Sequence, residues 1–122
     1  MSEEKTPWQI IADALQAKGI DVFPPATHKR DCMKPYVMLK QDGIGQVLGY
    51  SSDRVYFRFQ IYVPQDNYNL LDEMEKKVKD VLDNDLYPFI LPSGSQEPDW
   101  FDDNINAHMR AFIYHITRRR KH

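Results

Sequence analysis

The stretch RVYFRFQIYVP, Arg54 to Pro64, decides the fold. Read at the two-residue period of a strand, it puts Val55, Phe57, Phe59, Ile61 and Val63 on one face and Arg54, Tyr56, Arg58, Gln60 and Tyr62 on the other. The first face is a core face. The second carries large aromatics and arginines where a merely wetted face would carry Lys, Glu, Ser and Thr. Tyr56, Arg58 and Tyr62 are side chains that protein interfaces favour, because they join contact area to hydrogen-bonding tips. They can also stack on bases, as in sheet-face RNA binders. The plainer alternative is that the first helix or the glycine-rich segment of the same chain covers them.

Working outward, Thr6, Pro7 and Gln9 read as an N-cap, a first-turn proline and the reciprocal partner of a capping box, and Gly19 as a stop. Between them Trp8, Ile11, Ala12 and Leu15 form a stripe at helical spacing, so a helix is predicted over Pro7 to Lys18, with Ile20 folding back on its last turn. Phe23 to Pro35 reads as a loop. YVMLK is a short strand, and QDGIGQVLGYSSD is turn material with a possible strand edge near Gln46 to Leu48. A second helix is predicted from a cap at Asn69 to about Leu82, with Leu71, Met74, Val78 and Leu82 inward. YPFILP suits an edge strand, and Ser93 to Asn104 a long loop. HMRAFIYHITR, His108 to Arg118, is largely apolar on both faces and belongs well inside the sheet. The expected fold class is α+β: a mixed or antiparallel sheet of about four strands with two main helices packed on one face. A chain of 122 residues fits one domain, with a folded core over 7–118 and a basic tail over 119–122.

A hydrophobic fraction of 42% and a charged fraction of 28% are ordinary for a globular protein, and the aromatic fraction of 12% excludes intrinsic disorder. No apolar run spans a bilayer, and MSEEKTPW lacks the basic start and apolar stretch of a signal peptide. The single cysteine, Cys32, makes no intrachain disulfide and fits a reducing compartment. A net charge of -2 argues against bulk attraction to nucleic acid or membrane. Locally the chain is bipolar. Asp66 to Asp85 holds seven acids against three lysines, Glu97 to Asp103 four acids and no base, and Arg110 to Lys121 five bases and no acid.

Chemistry-bearing constellations are weak. His28 and Cys32 have a spacing that could hold a metal on a helix, but they lie in a proline-flanked loop with no second pair. His115 alternates with apolar residues and reads as a hydrogen-bonded core histidine, while His108 and His122 sit at a strand start and the chain end. Asp99, Asp102 and Asp103 could clasp a cation or do acid–base work, yet no nucleophile or phosphate loop stands at a recognisable offset. Trp100 and Phe101 in that acidic run point to burial against something. Arg118, Arg119 and Arg120 head a basic tail that is either solvated or in contact with nucleic acid or an acidic partner.

The succession of a capped helix, PYVML, a glycine-containing excursion, YFRFQIYV and the helix NLLDEMEKKVKDVL resembles the small tail-terminator, tail-completion and neck proteins of long-tailed bacteriophages and prophages. The similarity runs from about Pro7 to Arg118, and the long acidic–aromatic loop departs from it. The resemblance implies a mixed sheet with helices on one side, ring assembly on the tail tube or portal, no enzymatic activity and no cofactor. It implies location in the host cytoplasm during assembly and then in the virion. On that reading Tyr56, Arg58, Tyr62, Trp100, Phe101, Asp102, Arg118, Arg119 and Arg120 belong to contacts with other copies and with tail or neck proteins. The rival from another class is a nucleic-acid-binding α+β module that uses the aromatic, basic sheet face and the tail.

Overall fold

The computed structural model describes residues 5–25, 32–46 and 52–119. Helix α1 (Pro7–Gln16) begins with the capping box that the sequence announces: Gln9 N–H donates to Thr6 Oγ1 at 3.2 Å and Thr6 N–H to Gln9 Oε1 at 3.0 Å. It ends two residues before Lys18, and Gly19 then takes a left-handed φ of +80°. That turn lets Ile20 N–H reach the Leu15 carbonyl at 3.2 Å and buries Ile20 over the helix end.

Among the described residues six strands follow or interleave with the helices: β1 (Val22–Phe23), β2 (Tyr36–Gln46), β3 (Ser52–Pro64), β4 (Leu91–Gln96), β5 (Trp100–Asp102) and β6 (Ala107–Arg119). The order is β1-β2-β3-β6-β4, with β5 also on β6, in an open sheet. β1 runs parallel to β2 and every other pair is antiparallel, so the sheet is mixed. Helix α2 (Leu70–Asp80) lies between β3 and β4 and continues into a π-helical turn over Val81–Asp85. The fold class is α+β as expected, with six strands rather than about four.

The difference in strand number has local causes. β1 and β5 hold two and three residues, too few for any periodicity to show. LPSGSQ reads as loop because Pro92 and Gly94 are breakers, but a register shift between Pro92 and Ser95 absorbs them and leaves β4 paired to β6. The expected strand at YPFILP is instead a turn through Tyr87–Phe89, and pairing starts only at Leu91. β2 does not stop at Lys40. It runs on to Gln46 by way of a register shift between Gln41 and Gly43, the latter at φ +153°, which side chains rarely adopt. Residues 47–48 of the expected strand edge lie outside the described residues. Asn69 precedes α2, but its side chain makes no capping bond.

Both helices pack on one face of the sheet. Val55, Phe57, Phe59, Ile61 and Val63 share a core with Ile11 and Leu15 of α1 and with Leu71, Met74 and Val78 of α2. Phe59 stacks on Phe112 with ring centroids 5.5 Å apart. Burying each such aromatic removes enough apolar surface from water to stabilise the fold by about 1.5–3 kcal/mol. α1 is tied down by a polar contact too, because the Trp8 indole N–H donates to the Leu39 carbonyl at 2.7 Å. β6 lies between β3 and β4, inside the sheet, as its two apolar faces imply.

Candidate assembly surface

Among the described residues, the sheet face away from the helices is covered at one end only. There Tyr36, Tyr62, Ala107, Met109 and Ala111 form a second cluster with Cys32 and Ile105. Tyr62 is stacked on Tyr36, ring centroids 5.1 Å apart, and is 6% exposed. Its expected place on an open contact surface is therefore corrected. The segment at Cys32, held by a 2.8 Å bond from Cys32 N–H to the Ile105 carbonyl, closes over it. Burial pushes the Tyr62 hydroxyl above its ordinary pKa, with the Asp102 carboxylate as the second cause. Burial likewise raises Tyr36.

Beyond this cap the face is open. Register pairs Tyr56 with His115, Arg58 with Lys40 and Ile113, and Gln60 with Met38 and Ala111. Tyr56, Arg58, Gln60 and Ile113 are each half-buried, and Lys40 and Arg54 are exposed. Arg58 is not a free cation. It pairs with Glu97 through Nη1 and with Asp42 through Nη2 at 3.3 Å, joining the segment after β4 to the β2 bulge across β3. Its Nε is shielded from solvent and has no hydrogen-bond partner. Both acids sit far from Arg58 in sequence, and this hides the pairing from any local reading.

His115 is 8% exposed. Its Nδ1 is hydrogen-bonded to Ser93 Oγ at 2.9 Å, and the Tyr56 ring lies 6.0 Å away. Burial, and then the nearby Arg54 charge, pull its pKa below the usual histidine range. Among the described residues no carboxylate is bonded to this imidazole, so nothing orients the Ser93–His115 pair in the manner of a nucleophile and its base. The core-histidine reading accounts for the geometry.

The acidic–aromatic run is folded onto the chain rather than extended into solvent. Arg110 stands on the helix side of β6, where a charge needs partners, and it has three: Asp99 at 2.8 and 2.7 Å, Asp72 at 2.6 Å and Glu75 at 2.9 Å. The Tyr68 hydroxyl also donates to Asp99 at 2.6 Å. The Arg110 guanidinium holds the Asp99 carboxyl below the usual carboxylate range, and Asp99 in turn raises Arg110. Phe101 meets the His108 ring edge-on at 5.1 Å, and His108 Nε2–H donates to the Gln65 carbonyl at 3.1 Å. Asp102 accepts from Asn104 N–H at 2.9 Å and shapes the turn into β6. Of the two aromatics in the run Trp100 is the more exposed, at 49%, opposite Met109.

The sequence-derived residues thus part company. Tyr56 and Arg58 share the open face, Trp100 stands at its border, Phe101 and Asp102 hold the loop, and Tyr62 is interior. Arg118 and Arg119 belong to β6, in register with Asp53 and Ser52, and not to a detached tail. Arg120, His28 and His122 lie outside the described residues. Among the described residues no group of three His, Cys, Asp or Glu is placed to hold a metal ion. Sequence reading missed Tyr87 and Phe89, 61% and 40% exposed, because two aromatics beside a proline look like an edge strand. It also missed Arg110, although an arginine alternating with Phe112 and Tyr114 on a core face is itself a signal that acids must converge there.

No helix among the described residues is long and apolar enough to cross a membrane. No protein-family model matches this chain, and no curated protein is significantly similar to it in sequence.

Proposed function

We propose that this protein is a structural subunit of a phage or prophage particle at the head–tail junction, of the tail-terminator, tail-completion or neck type. It works by assembling into a ring and has no catalytic role. The observation that carries the reading is the half-covered far face of the sheet. Tyr56, Arg58, Gln60 and Ile113 are left outside both clusters, and Trp100 stands exposed on the short strand opposite Met109. A mixed face of aromatic, arginine and aliphatic groups is the composition of a contact surface. The element order on which the resemblance rests is a capped helix, the PYVML strand, a glycine-containing excursion, the YFRFQIYV strand and the amphipathic helix NLLDEMEKKVKDVL.

The nucleic-acid reading has less to stand on. Of its three platform residues, Tyr62 is buried and Arg58 is neutralised by two carboxylates, so Tyr56 is left to stack by itself. The assembly reading is tested by imaging particles from a host that carries this gene. Density for a ring of this chain where tail meets head is the expected result. A resolved junction lacking it overturns the assignment.

A further inference from the structure

β4, the last strand in the sheet order, is tied to β6 unevenly along its length. Its register passes from Pro92↔Tyr114 to Ser95↔Ile113, so Ser93 and Gly94 stand out of the ladder. Gly94 takes a left-handed φ of +77°, and Ser93 turns its hydroxyl back onto His115, Oγ to Nδ1 at 2.9 Å. A side-chain bond thus stands at the bulge where ladder bonds stand on either side of it. Both ends of the strand are anchored separately. Ile90 is fully buried in the main core, and Glu97 N–H donates to the Ala111 carbonyl at 3.0 Å.

The bulge bond ends on a group that changes charge near neutrality. His115 is 8% exposed, so an imidazolium there needs either an anion or a way out to water. Around it β3 presents Arg54, Tyr56 and Arg58, β2 presents Lys40 and Asp42, β4 presents Ser93, and β6 itself presents Thr117. Among the described residues the acids beside these, Asp42 and Glu97, already serve Arg58, and Asp42 serves Lys40 as well. Arg54 opposes a second positive charge.

We propose that the Ser93–His115 contact is a latch on the β4 bulge, closed while the imidazole is neutral and opened by acid. A protonated ring is left among cations and moves toward water, which breaks the Ser93 bond and frees residues 91–96 between their two anchors. What opens is a sheet border, so the β6 edge from Ile113 to His115 is bared. An exposed imidazole titrates at about 6.5 and the buried one below that, so within this interval each pH unit favours the open bulge by up to about tenfold.

Hydrogen-exchange mass spectrometry at about pH 7.5 and about pH 5.5 tests the latch, with rates corrected for the intrinsic effect of pH and α1 as the reference within the same molecule. Protection of residues 91–96 should fall about five- to tenfold in acid while α1 keeps its own. In His115→Gln that fall should vanish, and Ser93→Ala should lower the protection of 91–96 already at neutral pH. Unchanged protection of 91–96 in the wild type, an equal fall in α1, or a fall that survives His115→Gln refutes the latch. Should His115→Gln not fold, Ser93→Ala decides, because protection equal to the wild type at neutral pH would mean that the contact holds nothing.

Discussion

Tyr62→Ala probes the second cluster, the feature of the fold least visible in the strand pattern. Tyr62 is 6% exposed, stacked on Tyr36, and packed among Cys32, Ile105 and Met109. Truncating a buried aromatic in a main core costs about 3–5 kcal/mol through lost transfer energy and a residual cavity. Here part of the wall is the Cys32 segment and the turn at Ile105, which can relax into the space, so the lower figure of about 2–4 kcal/mol applies. For a chain of this length that is a fall in Tm of roughly 10 °C. Phe59→Ala, at 0% exposure between Phe112 and Tyr114, has no such freedom and should cost the full amount of about 3–5 kcal/mol. The assay is chemical denaturation of both variants beside the wild type, with m-values compared. If Tyr62→Ala costs less than about 1 kcal/mol, as an exposed tyrosine would, the second cluster is not closed over it and the division of the far face is wrong.

Arg58→Glu would crowd a third carboxylate against Asp42 and Glu97, so it should lower stability by about 1–3 kcal/mol, while Arg58→Gln should cost less; equal melts would show that the pairs are incidental. Arg110→Ala removes the cation that Asp72, Glu75 and Asp99 share, leaving Lys79 on Glu75 alone, and should free the 97–103 segment to proteases at neutral pH; cleavage no faster than in the wild type would show that Arg110 does not hold the segment. Tyr36, Tyr62 and Tyr114 all have raised pKa values, led by burial, so the unfolded chain ionises first. Their stabilising contribution is complete below about pH 10 and is lost above it, at up to about 1.4 kcal/mol per pH unit for each, as denaturation at pH 9 to 11 would show. His115 is shifted the other way, so its contribution is present above the unfolded-state pKa of about 6.5 and falls as pH drops toward the folded value; His115→Gln should flatten that stretch of the stability curve.

What could be read from sequence was governed by how local the cause is. The Thr6–Gln9 box, the Gly19 stop and the alternation of Val55 to Val63 are contained within a few residues, and each is realised in the fold. Sites assembled across the sheet were not legible. Arg58 finds Glu97 thirty-nine residues away, and Arg110 finds Asp72 thirty-eight away, so no window holds both partners. Tyr62 reads as an outward residue because alternation assigns it a face without saying whether that face is covered. β4 was hidden by Pro92 and Gly94, whose loop chemistry is real but is spent on a bulge inside a paired strand. The exposed Tyr87 and Phe89 illustrate the converse error, in which β-favouring side chains belong to a turn.

The central claim, a structural role at the head–tail junction, is tested most directly by deleting the gene from the phage or prophage that carries it and imaging the lysate by electron microscopy. The account predicts filled heads and separate tails in place of joined particles, with joining restored by the wild-type gene supplied in trans. Normal, joined particles from the deletion would contradict it.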